Sequence, residues 1–161
     1  MASSKLQGEL KKRGDFESLQ QEVMLNLMRT NDRIQIRFAR LFREHGLTEA
    51  QYNILRILRG ENAPLPVLEI ASRTITVVPG ITGLIDRLEK GGFVERRRCL
   101  EDRRVVFVAI MPKGLTTLTS LDDPVSDLHQ RLLLCINQDD LQELNRLLEI
   151  ARDSVEAEAG E

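Results

Sequence analysis

The segment from Gly80 to Arg104, GITGLIDRLEKGGFVERRRCLEDRR, constrains the fold more than any other, because one stretch holds a helix, a glycine stop and a charged hairpin. Ile81, Leu84, Ile85 and Leu88 fall at i, i+3, i+4 and i+7, a single apolar stripe that must pack on a core. The opposite face, with Pro79, Gly80, Thr82, Gly83, Asp86 and Arg87, is left for solvent or a ligand. Gly91 is expected to supply the positive φ that ends the helix, after which Phe93-Val94 opens a strand running into Arg96, Arg97 and Arg98. A second strand, Val105 to Ile110, returns after the polar Glu101-Asp102-Arg103 tip. The segment therefore predicts a helix backed by a two-stranded wing.

The rest of the chain supplies helices on both sides. Residues 1–14 are polar with no apolar face and are expected to form a flexible tail. Phe16, Leu19, Val23, Leu27, Ile34, Phe38, Leu41 and Phe42 recur at helical steps, predicting a long helix that ends near His45-Gly46. Thr48 is a helix cap with Gln51 at the third position to reach back, and Leu47 is placed to staple against Tyr52. That helix is expected to stop at Gly60, and Val67 to Arg73 to form a short second one. Pro79 is placed in the first turn of the next helix, where a missing N–H costs little. Two short helices joined by a brief turn make a helix-turn-helix. Beyond the hairpin, Met111-Pro112 starts another helix whose ladder Pro124 should kink or break, and Asn137 caps a last helix rich in leucine.

The predicted fold is thus mainly α with a small β-hairpin wing. A winged helix-turn-helix region spans 46–111, and helical regions at 15–45 and 112–161 carry more apolar surface than so small a unit can cover. The surplus predicts a homodimer through the N- and C-terminal helices. Aromatic residues make up only 4% of the chain, so the core must be built from Leu, Ile and Val. Nothing approaches the roughly 18 apolar residues that span a bilayer, and the first residues lack the apolar centre of a secretion signal. No membrane partner and a cytoplasmic location are expected.

A formal charge of −2 argues by itself against a polyanionic partner. Its distribution reverses the inference. Arg87 to Arg104 holds seven basic residues against four acidic ones, whereas Asp139 to Glu161 holds eight acidic residues and only Arg146 and Arg152. An acidic body with a local positive patch repels DNA except where the patch faces it. A helix and a wing fixed together can touch two grooves of one duplex. Double-stranded DNA is the partner this pattern predicts.

Gly46-Leu47-Thr48-x-x-Gln51, Leu84-x-x-x-Leu88-Glu89-Lys90-x-Gly92-Phe93-Val94-x-Arg96 and Glu101-Asp102-Arg103-Arg104, in this order of elements, resemble the multiple-antibiotic-resistance regulator (MarR) family of bacterial transcription factors over roughly residues 16–157. The resemblance implies a triangular homodimer, two winged helices reading a palindromic site, and control by a small-molecule effector or by oxidation. A repressor is the expected role. It also implies that Arg103, at the wing tip, enters the minor groove, where a narrow A·T-rich groove attracts guanidinium.

Asp102 and Arg104 are expected to pair or to cap the turn, shaping the wing. Arg96 and Arg98 share a strand face and are assigned to phosphate, with Arg97 solvated. On the helix, Thr82 and Arg87 are the candidate readers of bases or backbone, although Gly80 and Gly83 leave few donors there. Either the small face lets the helix sit deep, or specificity comes mainly from DNA shape and the wing.

Cys99 lies in the hairpin and Cys135 is placed in a dimerisation helix. The helix that carries the sensing cysteine in the family's peroxide-responsive branch has none here, which weighs against a redox role. His45 and His129 are isolated, no metal-ligand spacing or catalytic constellation is present, and neither a cofactor nor an enzymatic activity is expected. The rival reading is a winged helix that binds another protein and no DNA.

Overall fold

The computed structural model describes residues 4–76, 79–98 and 105–158. It has two compact units, Met1–Val125 and Ser126–Glu161. The described elements are α1 (Lys5–Glu9), α2 (Leu19–Glu44), α3 (Glu49–Glu61), β1 (Leu65–Pro66), α4 (Val67–Ser72), α5 (Ile81–Lys90), β2 (Val94–Arg98), β3 (Val106–Ile110), α6 (Pro112–Leu132) and α7 (Gln138–Glu158).

Local signals account for most boundaries. Thr48 Oγ1 accepts from Gln51 N–H while Thr48 N–H donates to Gln51 Oε1 at 2.9 Å, the reciprocal box anticipated for α3. Asn137 caps α7 through the Asp140 N–H. Pro112 occupies the first position of α6, where its fixed φ suits the helix. α2 ends in a Schellman motif, Leu47 N–H donating to Phe42 O and Gly46 N–H to Arg43 O, with Gly46 at φ +72° and both Phe42 and Leu47 buried.

Several boundaries differ from the sequence reading. α5 ends in the same motif as α2, with Phe93 N–H on Leu88 O and Gly92 N–H on Glu89 O; the positive φ, +76°, belongs to Gly92. Gly91 keeps an ordinary φ of −77° and is needed for a different reason, since a Cβ there would lie 2.8 Å from the Phe93 ring. α3 runs through Gly60 and stops at Asn62, whose φ of 53° is the left-handed conformation asparagine tolerates. Gly80 caps α5, so Pro79 stands outside the helix. α6 is continuous through Pro124. An interior proline loses its own N–H bond and crowds the carbonyl four residues back, a cost offset here by the packing of Leu118, Leu121 and Val125 on the core.

Residues 5–9, expected to be loose, form a helix capped by Ser4. Its Leu6 is 3% exposed, Gln7 Nε2 donates to Gly14 O, and Glu9 pairs with Arg29 of α2 at 3.5 Å. One buried leucine and two polar ties suffice to order a segment whose composition shows no amphipathic stripe.

Three strands in the order β1-β3-β2 form an antiparallel sheet. The two-residue β1 pairs Leu65 with Val108 and so pins the chain entering α4 to the wing. Within the first unit, Ile54, Leu55 and Leu58 of α3, Ile70 of α4, Ile85 and Leu88 of α5, and Val108 of β3 close one aliphatic core with no buried polar residue among those described. The anticipated stripe on α5 is therefore its inner face. The Phe42 ring stacks on Tyr52 at 4.2 Å, and Arg59 reaches both carboxylate oxygens of Asp122 at 2.9 and 2.7 Å, tying α3 to α6. In the second unit no described residue of α7 is buried, leaving Leu144, Leu147, Leu148, Ile150 and Val155 in solvent.

Candidate nucleic-acid interface

With Ile81, Leu84, Ile85 and Leu88 packed on the core, α5 presents its opposite face outward. Thr82, Arg87 and Lys90 are exposed. Gly83 has open space where a side chain would stand, so the middle of this face is bare backbone. Lys90, counted in the basic patch but not assigned a DNA contact from sequence, is three residues from Arg87 on the same helix.

The wing divides its arginines unevenly. Val94, Arg96 and Arg98 share one face of β2, and Val94 is buried, so that face turns toward α5. Arg96 is accordingly only 24% exposed in its side chain. Its guanidinium contacts the Asp86 carboxylate, lies 3.3 Å from Glu89 Oε2 and donates to Thr82 O at 3.1 Å, while its backbone N–H donates to Glu89 Oε1 at 2.9 Å. The assignment of Arg96 to phosphate therefore changes. The shared face that grouped it with Arg98 is the one packed against a helix carrying two acids, and those acids hold it. Arg97 lies on the other face and pairs with Glu95 instead of being left to solvent alone. Arg98 is exposed near the far end of the strand. Among the described residues, Arg87, Lys90 and Arg98 have no carboxylate partner.

An open cleft of about 520 Å³ lies where the wing meets the helices, lined by Val67, Thr82, Glu89, Arg96, Arg98 and Val106. Lys113, at the start of α6, closes the base of the wing: its Nζ donates to Gly91 O at 2.6 Å and stands 4.3 Å over the Phe93 ring. Thr82 and Arg98 thus line one cleft with Arg96 beneath them, while Arg87 is exposed elsewhere on α5. Cys99, Asp102, Arg103 and Arg104 fall outside the described residues. Cys135 is exposed in the turn between α6 and α7, not in a helix. His45 Nδ1 lies 3.1 Å from Leu41 O at the end of α2. Among the described residues, no cluster of three His, Cys, Asp or Glu could hold a metal, and no helix is long and apolar enough to cross a membrane.

A three-helix core with a helix-turn-helix, a short leading strand and a β-ribbon beside the second helix defines a winged helix-turn-helix protein. The MarR family model matches residues 47–106. A MarR transcription factor from Planctomyces limnophilus is 43% identical, the match covering 84% of this chain and 99% of that one, with a TM-score of 0.66. The chain belongs to the MarR family of transcription regulators, which are not enzymes. The homoprotocatechuate degradative operon repressor of Escherichia coli is 24% identical over 127 residues, 79% of this chain and 85% of the repressor. The BpsR protein of Bordetella bronchiseptica, whose DNA binding is regulated by 6-hydroxynicotinic acid, shares the fold with a TM-score of 0.72 at 21% identity, over 81% of this chain and 98% of that one.

Proposed function

We propose that this regulator is a cytoplasmic homodimeric repressor that binds palindromic double-stranded DNA and releases it when a small-molecule effector binds. The observation that carries the reading is the exposure of Thr82, Arg87 and Lys90 on α5 and of Arg98 on the wing, with Thr82 and Arg98 lining one cleft, in a chain whose C-terminal helix is acidic. Their charges face solvent beside a helix face bare enough to approach a groove closely. Arg103 is assigned to the minor groove from the wing tip, with Asp102 and Arg104 shaping that tip.

A twofold assembly is supported by the apolar side chains a single chain leaves in water. Leu19, Val23, Met24 and Met28 on α2 and five further residues on α7 are exposed, with Leu19 at 72%. A second copy would cover them. Two recognition helices about 34 Å apart then meet successive major grooves on one side of the duplex. An effector that favours another spacing lowers affinity by its differential binding to that state. BpsR responds to 6-hydroxynicotinic acid; for the present chain the effector is proposed only as a small molecule.

Selection of bound duplexes from a random pool tests the reading, a palindrome being the expected outcome. Arg103→Ala should then weaken binding to the selected site by roughly 1–3 kcal/mol with the dimer intact. An unchanged mobility-shift titration would overturn the tip assignment. The bare face at Gly83 offers few donors to base edges and favours a second reading, a protein-binding module. Salt separates the two. A steep loss of affinity with added salt is the mark of phosphate contacts, and absence of binding to any duplex at low salt favours the module.

A further inference from the structure

We propose that Arg96, together with Asp86 and Glu89, is a positioning clasp that locks the wing to α5 so that both meet DNA as one body; the inference rests on the DNA-binding reading above. β2 is an edge strand, and its outward amide at Arg96 is satisfied by Glu89 Oε1 rather than by another strand. The guanidinium of the same residue engages Thr82 O, Asp86 and Glu89, partners spread over about two turns of α5. One side chain therefore fixes the wing at three points along the helix. Asp86 and Glu89 border the face that would approach phosphates, and Arg96 offsets part of their charge. Two acids beside a proposed DNA surface are otherwise unfavourable. The clasp accounts for them.

A guanidinium can meet three acceptors in different directions because its donors form a planar fork, whereas a lysine ammonium is a point charge. That difference gives the test. Fluorescence-anisotropy titrations of the full chain use a duplex selected by the wild-type protein, across a salt series. Arg96→Lys keeps the charge but loses the fork, and should bind about tenfold more weakly. Arg96→Gln should also weaken binding, with the slope of log affinity against log salt unchanged.

Asp86→Ala combined with Glu89→Ala should lower affinity three- to tenfold, although it removes two negative charges that would face DNA. Lysine binding within twofold of wild type, a slope reduced by about 0.9 in the glutamine variant, or tighter binding by the double-alanine variant would each overturn the clasp in favour of a phosphate contact. Hydrogen exchange reads the clasp without DNA. The Arg96 amide should lose protection in Glu89→Ala and in Arg96→Lys, and unchanged protection in both would also overturn it. Failure of the wild-type protein to bind any duplex would refute the DNA reading while the exchange measurement still decided whether α5 holds the wing.

Discussion

Replacing Gly114 by alanine should destabilise the protein even though the position is helical. Gly114 lies in the first turn of α6, and a Cβ there would stand 2.6 Å from the Phe93 carbonyl oxygen, 2.8 Å from Ile110 Cγ1 and 3.3 Å from Ile110 Cδ1. A relaxed carbon–oxygen contact is about 3.3 Å, so the methyl overlaps by roughly 0.7 Å with a main-chain atom that cannot rotate away. The same oxygen accepts the Met111 N–H at 2.9 Å, a bond worth about 1 kcal/mol that any displacement weakens. Overpacking of this kind costs about 1–3 kcal/mol, and the better helix propensity of alanine returns about 1. Counting that hydrogen bond as lost, the three terms leave a net cost of about 1–3 kcal/mol, and the melting temperature should fall by roughly 2–12 °C.

Gly83 is the control. A Cβ at Gly83 meets nothing within 4 Å, so Gly83→Ala should gain about 0.5–1 kcal/mol and melt higher. Both variants are compared with wild type by circular dichroism at one protein concentration, because an oligomer's melting point depends on it. Should Gly114→Ala melt at or above wild type, the close approach of α6 to the wing would be refuted.

Thr48→Ala removes the acceptor for the Gln51 N–H and should cost about 1 kcal/mol, measured by urea unfolding; a loss below the error of the method would mean the cap is idle. Burial raises the Tyr52 phenol above its ordinary value, against Arg56 and Arg59, which lower it, with Asp122 adding to the rise. The folded state thus keeps this proton to higher pH than the unfolded chain, so the associated stability is present below about pH 10 and is lost as pH climbs through the folded value. Tyr52→Phe should flatten that part of the alkaline stability curve, and absorbance titration of the native protein should place the phenolate step above that of free tyrosine.

The helices with strong local grammar were readable without coordinates. The box at Thr48 and Gln51, the Asn137 cap, the apolar stripe of α5 and the hairpin after it depend on neighbours within a few residues, and the structure places them as expected. Where two residues could serve one local role, sequence alone could not choose. Gly91 and Gly92 both suit a helix end, and only the Leu88–Phe93 bond with the Phe93 ring above Gly91 assigns the positive φ to Gly92. Gly60 and Asn62 are likewise both plausible stops for α3, and in the structure it is Asn62 that takes the left-handed conformation, φ 53°. β1 was invisible because two residues carry no period, and its existence depends on β3 lying alongside.

The order of amino acids therefore determined where every helix but the first forms, where the wing begins and that positive charge gathers beside it, since caps, periodicity and composition act over short separations. Tertiary structure alone decided what each charge does. Arg96 and Arg98 are alike in sequence, yet the packing of β2 on α5 brings two carboxylates to one and leaves the other in solvent, because an ion's partner is set by distance in space and not by position along the chain.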